Sequence, residues 1–369
     1  MAIIAHLDMD AFFAAVEERN NPQWAGMPIV VGSDPRGGQG RGVVSTANYA
    51  ARKFGIHSAT PIRTAWKLAK AAEARGEAET IFLPGHWHTY SDISKKVMSV
   101  IKKFSPTIQQ TGADEAYFDV SFAETFPAAE KLCQEIKDRI KKEERLTASV
   151  GIGPNKLIAK IAANHEKPDG LTSIAPENVE TFLEPMPVRA IPGVGPKTEA
   201  ALHKHGIKTI RDLKRYTANE LDELLGKRSP APSSALVLGA RGVGSTSLAD
   251  YGPPKSISEQ QTFWKDTHDP MLLTNTLHQT AENLMKYLNR DYSHISKYRS
   301  GPRFQTVTVT CRFADFETHT YSHTLKEATS SLAKLKIEAT RLLLPFLDHR
   351  KNPHGKLIRL IGLRIEKLK

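Results

Sequence analysis

The tightest constraint on this fold lies near its start, where an apolar, β-branched run leads straight into acids: Ile3-Ile4-Ala5-His6-Leu7-Asp8-Met9-Asp10. Such a run reads as a buried strand. A carboxylate bordering a buried strand is costly to desolvate unless it is paired or bound to metal. Asp8 and Asp10, two residues apart on a strand, would share one face. A second acidic pair, Asp114-Glu115, stands within residues 108–119, which read as two strands joined across Thr111-Gly112. Magnesium takes carboxylate oxygens, usually from one or two side chains together with phosphates and water. Two such ions clamp the attacking and leaving oxygens of an in-line phosphoryl displacement. Asp8, Asp114 and Glu115 brought together would supply that chemistry. Spacing alone reaches a two-metal phosphotransferase of unspecified kind, because it does not make the two strands neighbours.

Strands and helices alternate through the first 166 residues. Strands are expected at 28–31, 43–45, 80–83 and 147–151, and helices at 11–18, 48–54, 62–74, 88–104 and 128–144. That order argues for helices layered on a sheet. Pro168-Asp169-Gly170 marks a boundary, followed by short helices broken by Pro and Gly. Residues 239–254 are polar and bear Gly and Pro, as a linker would. Beyond them the order is strand (256–263), helix (270–290), strands (304–313 and 317–324), helix (326–347) and strand (356–366). A β-α-β-β-α-β order specifies a compact sheet with two helices on one face. The expected fold class is multidomain, α/β and α+β.

Charge is unevenly spread over these segments. The net charge of +11 resides mainly in residues 254–369, with 19 Lys and Arg against 11 Asp and Glu; residues 1–166 hold 21 against 19, and residues 167–253 hold 11 against 10. Basic excess gathered in one domain suits sequence-independent contact with a polyanionic backbone. The two cysteines, Cys133 and Cys311, can build neither a disulfide framework nor a zinc site. Runs of about 18 apolar residues are absent, as is a signal-peptide pattern at Met1–His6. A soluble cytoplasmic protein without a membrane span is expected.

Several longer stretches carry a resemblance. Asp8-Met9-Asp10-Ala11-Phe12-Phe13-Ala14-Ala15-Val16-Glu17 and Ser45-Thr46-Ala47-Asn48-Tyr49-Ala50-Ala51-Arg52-Lys53-Phe54-Gly55 resemble motifs of the Y-family DNA polymerases. So do Asp114-Glu115-Ala116-Tyr117-Phe118-Asp119, Ser149-Val150-Gly151-Ile152-Gly153-Pro154-Asn155-Lys156 with Ala159-Lys160-Ile161-Ala162, and Lys167-Pro168-Asp169-Gly170. The motifs stand in the family's order, and the C-terminal element order agrees.

The resemblance implies a right-hand polymerase: palm (1–10 and 79–166, a mixed sheet plus helices), small fingers (11–78), helical thumb (167–240), linker (241–253) and little finger (254–369). It implies template-directed DNA synthesis across lesions, with low fidelity and no proofreading. Asp8, Asp114 and Glu115 would be catalytic metal ligands, joined by the Met9 carbonyl, for two Mg2+ ions that Mn2+ could replace. Asp114 would bridge both ions to the triphosphate, and Glu115 would hold the ion that activates the primer 3′-hydroxyl. Tyr49, Arg52 and Lys167 would contact the triphosphate of an incoming dNTP. Phe12, Ser45 and Thr46 would line the nucleotide site, and Phe13 would be the steric gate against a 2′-hydroxyl. Arg forks onto phosphate oxygens and Lys supplies a point charge, so the residue types fit. One departure stands out: the residue two before Asp114 is usually Ser in this family, and here it is Gly112.

Ile191-Pro192-Gly193-Val194-Gly195-Pro196-Lys197 resembles a helix-hairpin-helix, in which Gly193 and Gly195 let backbone N–H groups approach a phosphate, with Lys197 beside them. The basic, tyrosine-interleaved segment 290–303 places Arg299 and Arg303 as DNA contacts. Primer-template DNA, dNTP and a replication sliding clamp are the implied partners of a monomer. The clamp contact usually uses an apolar-aromatic or Gln/Leu-rich terminal peptide, whereas Leu363–Lys369 reads as a final strand. That contact would need a further tail or another surface. Two rival readings remain at this point, a catalytically silent DNA-binding scaffold and another two-metal enzyme such as a nucleotide cyclase or nuclease.

Overall fold

The computed structural model describes residues 1–226, 231–249, 252, 254–292, 301–348 and 350–369. In chain order the first elements are β1 (Ile4–Met9), α1 (Phe12–Asn20), β2 (Ile29–Gly32), β3 (Val44–Ala47), α2 (Tyr49–Arg52), α3 (Ile62–Glu73) and β4 (Ile81–Leu83). Next come α4 (Trp87–Phe104), β5 (Ile108–Gln110), β6 (Glu115–Asp119), α5 (Phe126–Glu144), β7 (Ala148–Gly153), α6 (Lys156–His165) and β8 (Leu171–Ser173). Short helices follow: α7 (Val179–Leu183), α8 (Pro196–Lys204), α9 (Ile210–Lys214), α10 (Ala218–Leu225) and α11 (Ser233–Ala240). The remainder is β9 (Ser256–Thr267), α12 (Pro270–Tyr292), β10 (Phe304–Phe313), β11 (Thr318–Thr329), α13 (Leu332–Leu347) and β12 (Ile358–Glu366). The chain divides into two compact units, one of residues 1–38 with 43–250 and one of residues 39–42 with 251–369.

In the first unit β1 is the middle strand of a sheet ordered β5-β6-β1-β7-β8, antiparallel to both of its neighbours. Ala5, Leu7 and Met9 point into a core built with α4 and α5, where Tyr90, Val97, Ile101, Cys133, Ile136 and Ile140 are buried. The other face of the sheet receives α6. Its approach is set by Gly151: a Cβ there would lie 2.1 Å from both Ala159 O and Ala163 N. Only a glycine admits the helix backbone that closely. A smaller sheet, β3-β2-β4, holds its own cluster of Val30, Val44, Ala47, Ile62 and Ala65. The helices α7–α11 enclose a third core of Leu202, Ile210, Leu213, Leu221 and Leu236.

The second unit is an antiparallel sheet ordered β11-β10-β12-β9 with α12 and α13 packed on one face. Val307, Val309 and Cys311 lie in that core. The alternate positions form a hydroxyl ladder: Thr306 with Thr324 (2.9 Å), Thr308 with Ser322 (2.7 Å) and Thr310 with Thr320 (3.2 Å). The multidomain α/β and α+β class and the β-α-β-β-α-β order are both present. Helical periodicity overreached at residue 326: Lys326–Thr329 continue strand β11, and α13 begins at Leu332 under its Ser331 cap.

Several expected boundaries differ from the sheets observed. Ile81–Leu83 pairs in parallel with β2, so it completes the smaller sheet rather than opening the palm at residue 79. Leu171–Ser173 pairs in parallel with β7, so the large sheet runs past residue 166. The expected helix over 48–54 is only Tyr49–Arg52, because Asn48 is its cap, accepting from Ala51 N–H at 3.0 Å. The expected linker is fastened where it leaves the first unit. Asn155 Nδ2 donates to Gly242 O (2.9 Å), Lys156 N–H to Ser245 O (3.0 Å) and Gln109 Nε2 to Ala249 O (2.7 Å).

Candidate active site

The acids of the two separate motifs meet in the large sheet. Asp8 is the cross-strand partner of Glu115, and Met9 N–H donates to Asp114 O at 3.0 Å. Like charges directly opposite on neighbouring strands repel, so this pair needs cations. Lys167 Nζ lies 2.6 Å from Asp8 Oδ1. Lys160, from α6, bonds Glu115 Oε2, and buried His6 approaches that oxygen at 3.5 Å. The His6 and Lys160 side chains hold the Glu115 carboxyl well below the usual range, while burial lowers the His6 imidazole. Asp114 behaves oppositely: burial, followed by the charge of Asp8, pushes it up to about 6.

Asp8 and Glu115 are each turned onto a lysine, and no group of three or more His, Cys, Asp or Glu among the described residues is gathered to hold a metal ion. The donor chemistry nevertheless fits magnesium: three neighbouring carboxylates, one with its anionic form disfavoured by burial and then by the Asp8 charge, both of which a bound cation would offset. Magnesium takes oxygen ligands rather than a thioether, so only the Met9 carbonyl could join them. The turn at Gly112 is secured without the usual hydroxyl. Thr111 and Gly112 N–H both donate to Glu115 O, Thr111 Oγ1 donates to Glu115 Oε1 at 3.0 Å, and Ser94 Oγ bonds Ala113 O.

The strand ends at Met9, so Asp10 does not join Asp8 on one face. Its buried carboxylate accepts from Ser149 Oγ (2.7 Å) and Asp169 N–H (2.8 Å), fastening the turn that follows Lys167. The Tyr49 hydroxyl lies 3.5 Å from Asp10 Oδ1, and burial with the Asp10 charge pushes that phenol up to about 12. The Arg52 guanidinium sits 4.5 Å over the Tyr49 ring and bonds Ala47 O at 2.9 Å. Ser45 and Thr46, half-buried on β3, precede this pair. Phe13 is half-buried and stacks on Tyr90 with centroids 4.5 Å apart. Phe12, also expected to line the nucleotide site, is 2 % exposed with its ring packed in the core.

Gly193 has φ +94°, a left-handed conformation, and Gly195 caps α8 with open space around both. Lys197 is exposed in the first turn of that helix. Arg303 is exposed and its backbone pairs with Lys369 by two 2.8 Å bonds; Arg299 lies outside the described residues.

Similarity to known proteins extends over nearly the whole chain. Residues 7–164 match the impB/mucB/samB family, residues 254–369 that family's C-terminal domain, and residues 176–207 its HHH motif. The chain is 41% identical over 366 residues to DNA polymerase IV of Methanoculleus marisnigri, covering 99% of this chain and 94% of that protein. It is similar also to a solved Y-family DNA polymerase chimera of Dbh and Dpo4, with a TM-score of 0.83 and 29% identity over 99% and 98% of the two chains. This chain belongs to the Y-family DNA polymerases. The Y-family chain is 35% identical to DNA polymerase IV of Listeria monocytogenes over 99% of its own length and 95% of the relative's. A structure titled as an insertion ternary complex of Dbh DNA polymerase matches it at TM-score 0.64 and 29% identity, over 99% and 98% of the chains.

Two contacts of this Y-family site were not anticipated from sequence, Lys160 and His6. Parity carried a signal for His6, which lies two residues before Asp8 and hence on its face. Lys160 sits one turn after Lys156 on a helix that Gly151 draws against the sheet, a placement visible only in three dimensions.

Proposed function

We propose that this DNA polymerase extends a primer 3′-hydroxyl with deoxyribonucleotides opposite damaged template bases, by two-metal phosphoryl transfer and with low fidelity. The cross-strand pairing of Asp8 with Glu115, beside Asp114 and Lys167, is the observation that carries this reading. Magnesium ions, when bound, would supply charge neutralisation for the attacking and leaving oxygens. Asp8, Asp114, Glu115 and the Met9 carbonyl would hold them. Lys167 and Arg52 would take triphosphate oxygens, and Tyr49 would donate its hydroxyl, protonated at neutral pH as a phenol ordinarily is. Phe13 would stand beneath the sugar. Small Ser45 and Thr46 beside this site leave room for a distorted base pair, the physical support for bypass and low fidelity.

In the same reading the palm comprises residues 1–10 and α4 through β8, the fingers residues 11–83, the thumb α7–α11, and the little finger β9–β12. The Gly193–Gly195 turn with Lys197, and the hydroxyl ladder with Arg303, would hold duplex backbone without reading sequence. Primer-template DNA and dNTP are the partners; the sliding clamp and a monomeric state belong to the proposal through family likeness alone. Primer extension with Mg2+ and single nucleotides is expected to give templated addition on intact and damaged templates, and none with Asp114→Ala. Untemplated product, or extension by that variant, would refute it.

A further inference from the structure

Phe13 and Glu17 lie four residues apart on α1, hence on one helical face. Tyr90 of α4 spans the pair. Its ring stacks on Phe13 with an interplanar angle of 20°, and its hydroxyl donates to Glu17 Oε1 at 2.5 Å. The same carboxylate oxygen lies 2.8 Å from Nδ1 of His86, the residue that caps α4. Trp87 packs edge-on against both Phe13 (5.4 Å) and Tyr90 (5.8 Å). Glu17 is only 4 % exposed, and a carboxylate so buried persists where its oxygens are hydrogen-bonded. Stacking alone leaves one ring free to slide along the other. A hydroxyl tied to a carboxylate at its far end fixes the Tyr90 ring, and with it the height of Phe13.

We propose that Glu17 is a positioning residue for sugar selection, anchoring Tyr90 so that Phe13 is held where a ribose 2′-hydroxyl would collide with it. Glu17 touches none of the proposed metal ligands or triphosphate contacts; it acts through Tyr90. The inference rests on the reading of Phe13 as the sugar-discriminating side chain.

The test is single-nucleotide insertion by the full chain with Mg2+ on a primer-template, comparing kcat/KM for a dNTP and the matching ribonucleotide. Glu17→Leu fills the space without an acceptor, and Tyr90→Phe keeps the stacked ring without the hydroxyl. Each is expected to lose about tenfold in selectivity, chiefly through faster ribonucleotide insertion, while Glu17→Gln, which keeps an acceptor oxygen, stays within about threefold of the parent. The Glu17→Leu/Tyr90→Phe double variant should lose no more than either single one, since both remove the same tie. Unchanged selectivity in Glu17→Leu and Tyr90→Phe, with selectivity lost in Phe13→Ala, would overturn the inference and leave the Phe13 reading standing. Equal losses in Glu17→Leu and Glu17→Gln would overturn it too. Unchanged selectivity in Phe13→Ala would instead refute the reading of Phe13 itself.

Discussion

Asp114→Asn should make the metal-free protein more stable while abolishing its activity. Burial and the neighbouring Asp8 carboxylate raise Asp114 from 3.8 to about 6. A carboxyl whose folded-state pKa is raised destabilises the fold once it ionises. The penalty is absent below the unfolded value, grows between pH 3.8 and about 6, and is constant above that. At about 1.4 kcal/mol per pKa unit the full shift amounts to roughly 3 kcal/mol. Asp114 is only partly buried, so solvent screening reduces this to about 1–2 kcal/mol. The amide isostere removes the charge and keeps the shape. In chelator at pH 8 the variant should melt about 2–6 °C above the parent, and at pH 3.5 the two should coincide. Saturating Mg2+ should raise the parent by about 2–3 kcal/mol at a hundredfold excess over Kd, and the variant by less. Scanning calorimetry or urea titration at several pH values reads all of this. A pH-independent difference, or an equal Mg2+ gain in both proteins, would refute the electrostatic argument.

Other outcomes follow from the same geometry. Gly151→Ala places a methyl 2.1 Å from two backbone atoms of α6 and should cost about 3 kcal/mol or more, read as a lower urea midpoint. Phe13→Ala should admit ribonucleotides at least about tenfold better relative to dNTPs, measured by single-nucleotide kinetics. Lys197→Ala should weaken primer-template binding equally across sequences and flatten the log–log salt slope by about 1, measured by fluorescence anisotropy in a salt series.

Much of the architecture was legible because its signals are local. Helix periodicity located α3, α4 and α5, and the C-terminal β-α-β-β-α-β order needed nothing beyond element types. Where the reading slipped, long-range pairing decided the matter. Leu171–Ser173 belongs to the large sheet because β7 offers it a parallel edge, which no property of those three residues announces. Asp10 looked like the equal of Asp8 by two-residue parity, yet the strand stops at Met9 and the side chain turns inward to Ser149. Residue type does not separate Phe12 from Phe13; the resemblance gave them different roles, and packing makes one a core ring and leaves the other half-buried. Among the candidate site residues, acids bordering apolar strands pointed to Asp8, Asp114 and Glu115, and motif resemblance added Lys167. Lys160 stood in a recognised motif, but nothing local announced its bond to Glu115 across 45 residues.

The central place of β1 also bears on how the molecule is made. Its two partners lie far downstream, Ile4 pairing with Asp119 on one side and Gly153 on the other. During synthesis this apolar strand leaves the ribosome with neither edge covered, and both edges stay open until β6 and β7 have emerged. Long loops must close before either pairing is rewarded, which slows folding. An unpaired apolar strand is also a template for association between chains.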